Sequence, residues 1–454
     1  MPAPLALLLC TILVIVLLRL DHDQARGVSP ALWIPTLWAF VAFSKPLAVW
    51  FGSTAESSME AGSPLDRAFL ISLLVLAVIV LVKRRFDWFG ALRDNRWVLF
   101  LIAFMLISVF WSSIPLISFK RWTRDFIVVV MAFMVLSERD PRQALLTILR
   151  RVTYVLIPYS FLLIKYYPKY GVQYGRYSGS RMWIGVGLQK NHLALLCVIS
   201  VVFLTWTLFR RWKGRDPAVL KIQTPAEIVL LVLTMRLLMG PRMTLTYSAT
   251  STIALVLALL MSLALYRMKR RGSSPGLKVL KIALLVIVIY GTVTPFLGKL
   301  SILDISSALN RDDTLTGRSE IWAFLVPYAL NRPVLGHGFG GFWTTEMREL
   351  TASHAHNGYL DVILNIGFVG LLLVSLFLLS CCQKAYRALK ADFDWGILAL
   401  SYILMGAMHN ITESTINTLT SSLIAIILFF SVISLFSGAE APAEQISESP
   451  RGAP

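Results

Sequence analysis

The sequence predicts an all-α polytopic integral membrane protein, and three observations carry that prediction. The 454-residue chain is 56% hydrophobic, with a mean hydropathy of +0.69. Only 15% of its residues are charged, against roughly a quarter in soluble proteins. Its apolar residues fall in continuous runs and do not alternate, which selects helices over a barrel.

A span needs about 20 apolar residues, and the chain has room for about 12 or 13. In order they are Leu5–Leu20, Trp33–Phe51, Phe69–Val82, Trp97–Trp111, Phe126–Leu136, Val152–Ile164, His192–Leu208, Ile228–Leu238, Ser251–Tyr266, Val279–Leu297, Tyr359–Ser380, Gly396–Met408 and Leu419–Phe436. Leu5–Leu20 has neither a basic lead nor a small-residue cleavage site, so it reads as a first span and not a removable signal.

The formal net charge of +18 does not point to nucleic acid, because the cations sit at alternate span ends. Lys83-Arg84-Arg85, Arg139 to Arg151, Arg210 to Arg215, Lys269-Arg270-Arg271 and Lys384 to Lys390 form that series. The positive-inside pattern places these ends in the cytoplasm. The intervening loops 52–65, 114–123, 165–190, 240–248, 297–357 and 410–418 then face outward. Thirteen spans counted back from a cytoplasmic tail put Met1 outside, unless one early segment does not cross. The chain thus divides into a membrane domain, residues 1–437, and an Ala-, Pro-, Glu- and Ser-rich tail, 438–454, expected to be disordered. Cys10, Cys197, Cys381 and Cys382 lie in apolar runs or at a cytoplasmic end, which argues against a disulfide framework.

The outward loop 297–357 is the polar island of the chain. Ile321, Trp322, Leu325, Val326, Ala329 and Leu330 recur at helical spacing from Thr316 to Leu330, and Asn331-Arg332-Pro333 stops the run. This helix suits a membrane surface. Arg318, in its first turn, either forks onto a phosphate or carboxylate or snorkels to lipid headgroups. Gly336, Gly338 and Gly341 match G-x-G-x-x-G formally, but no strand precedes them, so a dinucleotide site is rejected. They instead permit tight turns that bring His337 and backbone N–H groups to the membrane face. His354 and His356 read as a general base, as a metal pair with Glu346 or Glu349, or as inert loop histidines. Their company, Asn357 and Arg318 in the same loop, favours chemistry.

The loop 165–190 is basic although it is expected outside. Lys165, Lys169, Arg176, Arg181 and Lys190 call for an anion, and its tyrosines suit sugar stacking; anchoring to anionic headgroups is the alternative. Arg242 is a further cation on that face, and Arg236 lies within an apolar segment.

These residues resemble the O-antigen ligase/polymerase family of bacterial membrane glycosyltransferases. The resemblance rests on Gly317-Arg318 with Trp322, on Gly336-His337-Gly338, and on His356-Asn357 before an apolar span. Lys120-Arg121-Trp122 after Trp111-Ser112, Arg150-Arg151 before Ile157-Pro158, Lys165-Tyr166-Tyr167-Pro168 and Lys190-Asn191 are similar to its exopolysaccharide polymerase branch. The likeness runs from about Gly62 to Ser437.

The resemblance implies a GT-C-like helical fold with a periplasmic active site. It implies an undecaprenyl-diphosphate-linked oligosaccharide as substrate, with neither a cofactor nor a metal. A chain-length regulator and a flippase are the protein partners implied. Arg318 matches the family arginine that contacts the diphosphate, and His356 the histidine proposed as base. Arg176, Arg181, Lys190, Arg242, His337 and Asn357 are the expected substrate-binding residues. The family's basic step before the span near Ser251 is missing here, where the stretch reads Ser248-Ala249-Thr250-Ser251. Arg242, Arg176 or Arg181 takes that role. A lipid-linked saccharide transporter and a metal-dependent hydrolase are the rival readings; the first expects mid-membrane charge and internal repeats, which the sequence does not display.

Overall fold

The computed structural model describes residues 1–24, 27–52, 62–175, 179–214, 223–241, 248–297, 316–351 and 353–433. Arg176, Arg242, residues 298–315 of the large loop and the tail 438–454 lie outside the described residues.

The helices are, in order, α1 (Ala3–Gln24), α2 (Trp33–Ala42), α3 (Leu47–Trp50), α4 (Pro64–Lys83), α5 (Trp88–Asp94), α6 (Arg96–Ser108), α7 (Pro115–Leu136), α8 (Pro141–Tyr166) and α9 (Pro168–Gly171). There follow α10 (Lys190–Trp212), α11 (Gln223–Leu238), α12 (Ala249–Arg270), α13 (Leu277–Val293), α14 (Thr316–Asn331), α15 (Thr345–Leu350), α16 (Gly358–Ala391), α17 (Phe393–His409) and α18 (Ser422–Ile433). Several begin with Pro in the first turn, where its missing N–H costs nothing. Ser63 and Asp140 then cap α4 and α8 by accepting from Leu65 N (3.1 Å) and Gln143 N (3.0 Å).

The all-α expectation holds, with one small addition. Residues of the 165–190 loop form an antiparallel pair, β1 (Val172–Tyr174) and β2 (Arg181–Trp183), in which Val172 faces Trp183.

Seven helices among the described residues are long and apolar enough to cross a membrane: α1, α4, α8, α10, α12, α13 and α16. The total is eight if α5 and α6, bent by 89°, count as one. The expected spans near Trp33, Ile228, Gly396 and Leu419 correspond to helices of 10, 16, 17 and 12 residues. The region 114–123, expected as a loop, is the first half of α7, and Lys120, Arg121, Arg124 and Asp125 make that half polar.

The helices form an inner and an outer set. The best apolar windows of α8 and α10 are each 78% buried, those of α1 and α4 only 17%. Leu8, Ile71, Val82 and Val286 are among the large apolar side chains left exposed on outer helices. Such a surface suits lipid and not water.

Helix direction sorts the loops. Thr11 meets Tyr159 (3.1 Å), while Asp21 pairs with Arg150 (3.0 Å) and Arg151 (2.8 Å), so α1 runs antiparallel to α8. Met1 therefore lies at the end of the bundle where α8 ends. Arg84–Glu138 (2.8 Å), Arg142–Asp392 (3.3 Å) and Arg211–Glu227 (2.7 Å) gather at the opposite end with the basic clusters.

Helix α16 is interrupted. Ile366 and Gly367 leave helical geometry, Gly367 at φ 67°. The segment Pro333–His337 fills the gap: His337 N donates to Leu364 O (3.0 Å), and Phe368 N and Val369 N donate to Pro333 O (2.8 Å) and Val334 O (3.2 Å). The break thereby keeps its backbone groups paired, which a buried interruption requires. A Cβ at Gly367 would stand 2.1 Å from Val334 O, so no other residue fits.

Candidate active site

The site begins with a tether. Trp322, buried on α14, donates from its indole N–H to Ala355 O (2.9 Å). Trp322 lies one turn beyond Arg318, so this bond holds the arginine beside the His354-Ala355-His356 turn. The predicted helix from Thr316 to Leu330 is observed as Thr316–Asn331.

The turn itself is tightly specified. Ala355 N–H donates to both oxygens of Asp361 (3.3 and 3.2 Å), and Trp343 Nε1 donates to Asp361 Oδ1 (2.8 Å). His356 N–H donates to His354 Nδ1 (3.2 Å), which puts the ring proton of neutral His354 on Nε2. The two rings lie 4.1 Å apart. His356 has φ 50°, a left-handed conformation uncommon for a side-chain-bearing residue and concentrated at functional sites.

Asn357 is fully buried. Its side chain accepts from Leu360 N (2.8 Å), capping α16, and donates to Gly291 O (2.8 Å) and Ile411 O (2.9 Å). All three bonds are structural, so Asn357 positions the turn and the loop after α17 and does not face a substrate.

That loop, residues 410–421, supplies the residue that sequence reasoning missed. Glu413 is 4% exposed; Arg318 donates to its Oε1 (2.7 Å), as does Asn191 Nδ2 (2.8 Å). Its Oε2 stands 3.5 Å from His356 Nδ1. Asn410 shapes the loop by accepting at Oδ1 from Thr415 N (2.9 Å) and Ile416 N (2.8 Å). A Cβ at Gly358 would collide with that same oxygen at 2.0 Å, which explains the glycine after Asn357.

The charges of this group are coupled. Burial alone would raise the Glu413 carboxyl, but His356 and Arg318, with a smaller contribution from His354, outweigh it and hold it at about 2. Burial, reinforced by neighbouring His356, lowers His354 to about 4, so it is neutral near pH 7. Burial also lowers Arg318, against the pull of Glu413; a guanidinium nonetheless stays charged.

A carboxylate facing one imidazole nitrogen favours the tautomer with the proton there, leaving the other nitrogen free to accept one. Glu413 thus suits His356 to accept a proton at Nε2. Arg318 spends one N–H on Glu413 and has further donors for an anion.

His354, His356 and Glu413 also lie close enough to share a cation, their ligand atoms all within 4.8 Å. Glu346 and Glu349, considered as partners from the sequence, are exposed on α15 and outside this cluster. Arg318 already compensates the single carboxylate of the cluster, which works against a dication there.

The other expected residues are dispersed. His337 Nε2 donates to Tyr328 O (3.2 Å) and packs on Phe342, serving the glycine-rich turn. Arg181 is exposed in β2, and Lys190, first residue of α10, lies beside Trp183 and Ser248. It is the next residue, Asn191, that reaches Glu413. Arg236 stacks over Trp183 (4.4 Å) and donates to Gly240 O (2.6 Å), bracing the β pair. An apolar cavity of about 450 Å³ opens between α1, α2 and α8, lined by Leu7, Phe40, Trp50, Tyr159 and Tyr167 among others.

Residues 235–375 match the family model described as O-antigen ligase. That stretch holds Arg318, His354, His356 and Asn357 but neither Asn191 nor Glu413. The chain is 23% identical over 339 residues to the exopolysaccharide production protein ExoQ of Rhizobium meliloti (strain 1021), covering 69% of this chain and 72% of that protein. The chain is accordingly a multi-pass, all-α membrane protein that is similar in part to O-antigen ligase and to an exopolysaccharide production protein.

Proposed function

We propose that this protein polymerises undecaprenyl-diphosphate-linked oligosaccharide repeats into exopolysaccharide or capsule at the periplasmic face of the inner membrane, without a metal. The observation that carries the reading is the union of Arg318, His356 and Glu413 from two separate loops expected on one membrane face. A group-transfer centre with a fixed cation, a base and a carboxylate that orients the base fits a glycosyl donor whose leaving group is a diphosphate.

The step balances as follows. The acceptor hydroxyl gives its proton to His356 Nε2 as its oxygen attacks the anomeric carbon. The bond from that carbon to the diphosphate oxygen breaks, and the electron pair leaves on the diphosphate. Arg318 stabilises that charge, and does so most effectively in a partly dry, preorganised site. Base assistance of this kind is worth about 10²–10⁴-fold. Attack opposite the leaving group inverts the anomeric centre. The apolar cavity between α1, α2 and α8 suits part of the carrier's hydrocarbon chain.

Polymerase is preferred to ligase because the longer likeness, over 339 residues, is to a protein of exopolysaccharide production. Reconstitution with a defined lipid-linked repeat tests this, with and without a lipid A core acceptor. Ladders of joined repeats support the reading; transfer only to lipid A makes the protein a ligase. The metal reading has its own observation, the His354–His356–Glu413 cluster. Loss of activity in a strong chelator, restored by one divalent ion, would establish it.

A further inference from the structure

A second polar cavity, of about 210 Å³, lies between α7, the glycine-rich turn, α15 and the loop after α17. Liquid water occupies roughly 30 Å³ per molecule, so this space holds a group much larger than one water. Arg121 and Arg124 of α7 and Arg348 of α15 line it, and its described lining residues include no carboxylate. Ser353, next to His354, also lines it, and Arg348 is near enough to act on the His354 charge, so the cavity adjoins the active site.

Asp125 and Asp66 both lie near enough to act on the Arg124 charge, but neither lines the cavity. Asp125, buried behind the wall, accepts from Thr418 Oγ1 (2.6 Å), Leu419 N (3.1 Å) and Thr420 N (3.2 Å), fixing the loop that closes the cavity. Arg121 donates to Gly340 O, fixing the opposite wall.

A different kind of group completes the lining. Asn365, 4% exposed, donates from Nδ2 to Asp361 O (2.8 Å), while its Oδ1 accepts no hydrogen bond. A buried acceptor left unmet is destabilising. An arginine cluster asks for an anion, and this oxygen asks for a hydroxyl donor. Phe339 and Trp343 add aromatic lining, which suits the apolar face of a sugar ring.

The geometry points to a subsite for an anionic saccharide unit, a sugar bearing a carboxylate or phosphate, held by Arg121, Arg124 and Arg348 with a hydroxyl on Asn365 Oδ1. The inference deepens the glycosyltransferase reading and rests on it for the saccharide class. It assigns the chain a preference for acidic repeats.

Calorimetry on the full-length protein in detergent tests this. The probes are a glucuronate-containing oligosaccharide, its carboxyl-reduced counterpart, glucose 6-phosphate and geranyl diphosphate. The acidic oligosaccharide should bind at least about 10-fold more tightly than the reduced one, a difference typical of charge-assisted bonds. Arg348→Gln and Arg124→Gln should each erase that preference, and Arg348→Lys should keep part of it, in protein that remains monodisperse. Displacement by glucose 6-phosphate assigns a phosphate-bearing sugar; its failure assigns a carboxylate. Equal binding of the acidic and reduced probes, or binding of neither, overturns the subsite. So does capture of geranyl diphosphate alone with the same arginine dependence, because the cavity would then hold the leaving group. His356→Ala should keep the preference, so a failed polymerase assay and a failed subsite give different results.

Discussion

Glu413 Oε2 faces His356 Nδ1 at 3.5 Å while Arg318 holds the other oxygen of the same carboxylate at 2.7 Å. One acid therefore faces the His356 ring and pairs the Arg318 charge. Both contacts depend on its charge, not its shape.

Replacing Glu413 by Gln keeps the volume and removes that charge. The turnover number should fall by about 10²-fold or more, because His356 loses its orienting partner. Binding of lipid-linked substrate should change much less. Initial rates of the reconstituted variant check this, and a kcat within a factor of about three of the parent would remove Glu413 from the mechanism.

Acid should loosen the site in two stages of the same sign. His354, held at about 4, resists protonation that the unfolded chain accepts near 6.5, so stability falls as pH drops between those values. Glu413, held at about 2 against an ordinary 4.5, adds stability above 4.5 that is lost as pH falls toward 2. Melting temperatures of the purified protein from pH 7 to pH 4 should decline, and His354→Gln should flatten that decline. An unchanged slope in the variant would contradict the assignment.

Gly367→Ala should be among the most damaging single substitutions in the chain. It combines a left-handed backbone with a contact of 2.1 Å to Val334 O. Strain at such a position alone costs about 1–3 kcal/mol. The expected result is low yield in the membrane, with cleavage by added protease within 333–337.

Asp21→Ala leaves Arg150 and Arg151 buried without their shared carboxylate. Breaking a buried pair from one side costs about 3–5 kcal/mol. The detergent-solubilised variant should melt well below the parent. Arg151→Met added to Asp21→Leu should recover part of the loss, since an apolar replacement removes the stranded charge.

Legibility in the sequence followed range. Trp322, Arg318 and His356 belong to one loop, and helical spacing with local glycines was enough to place them together. Helix runs likewise exposed the class of fold, while the direction of α1, left open by the basic ends, is fixed by the contacts of Asp21 with Arg150 and Arg151. Several expected spans read as short or interrupted runs because α2, α11, α17 and α18 are short helices and α7 carries charge in its first half. Glu413 was hidden for another reason. It is a single acid in a short loop after α17, and nothing in its neighbours signals that the loop folds under His356. The one local cue is a carboxylate in a polar loop on a face otherwise rich in cations. Asn191 was hidden beside Lys190, whose charge drew the attention its amide neighbour deserved on geometry.

The docking of Pro333–His337 into the break of α16 has a consequence for evolution and engineering. The glycine-rich turn and the helix that receives it share hydrogen bonds, so they are inherited as a single part. Chimeras that exchange the large loop between relatives should fail at a junction drawn before Gly358. They should work when the junction falls beyond Val369, where donor loop and receiving helix travel together.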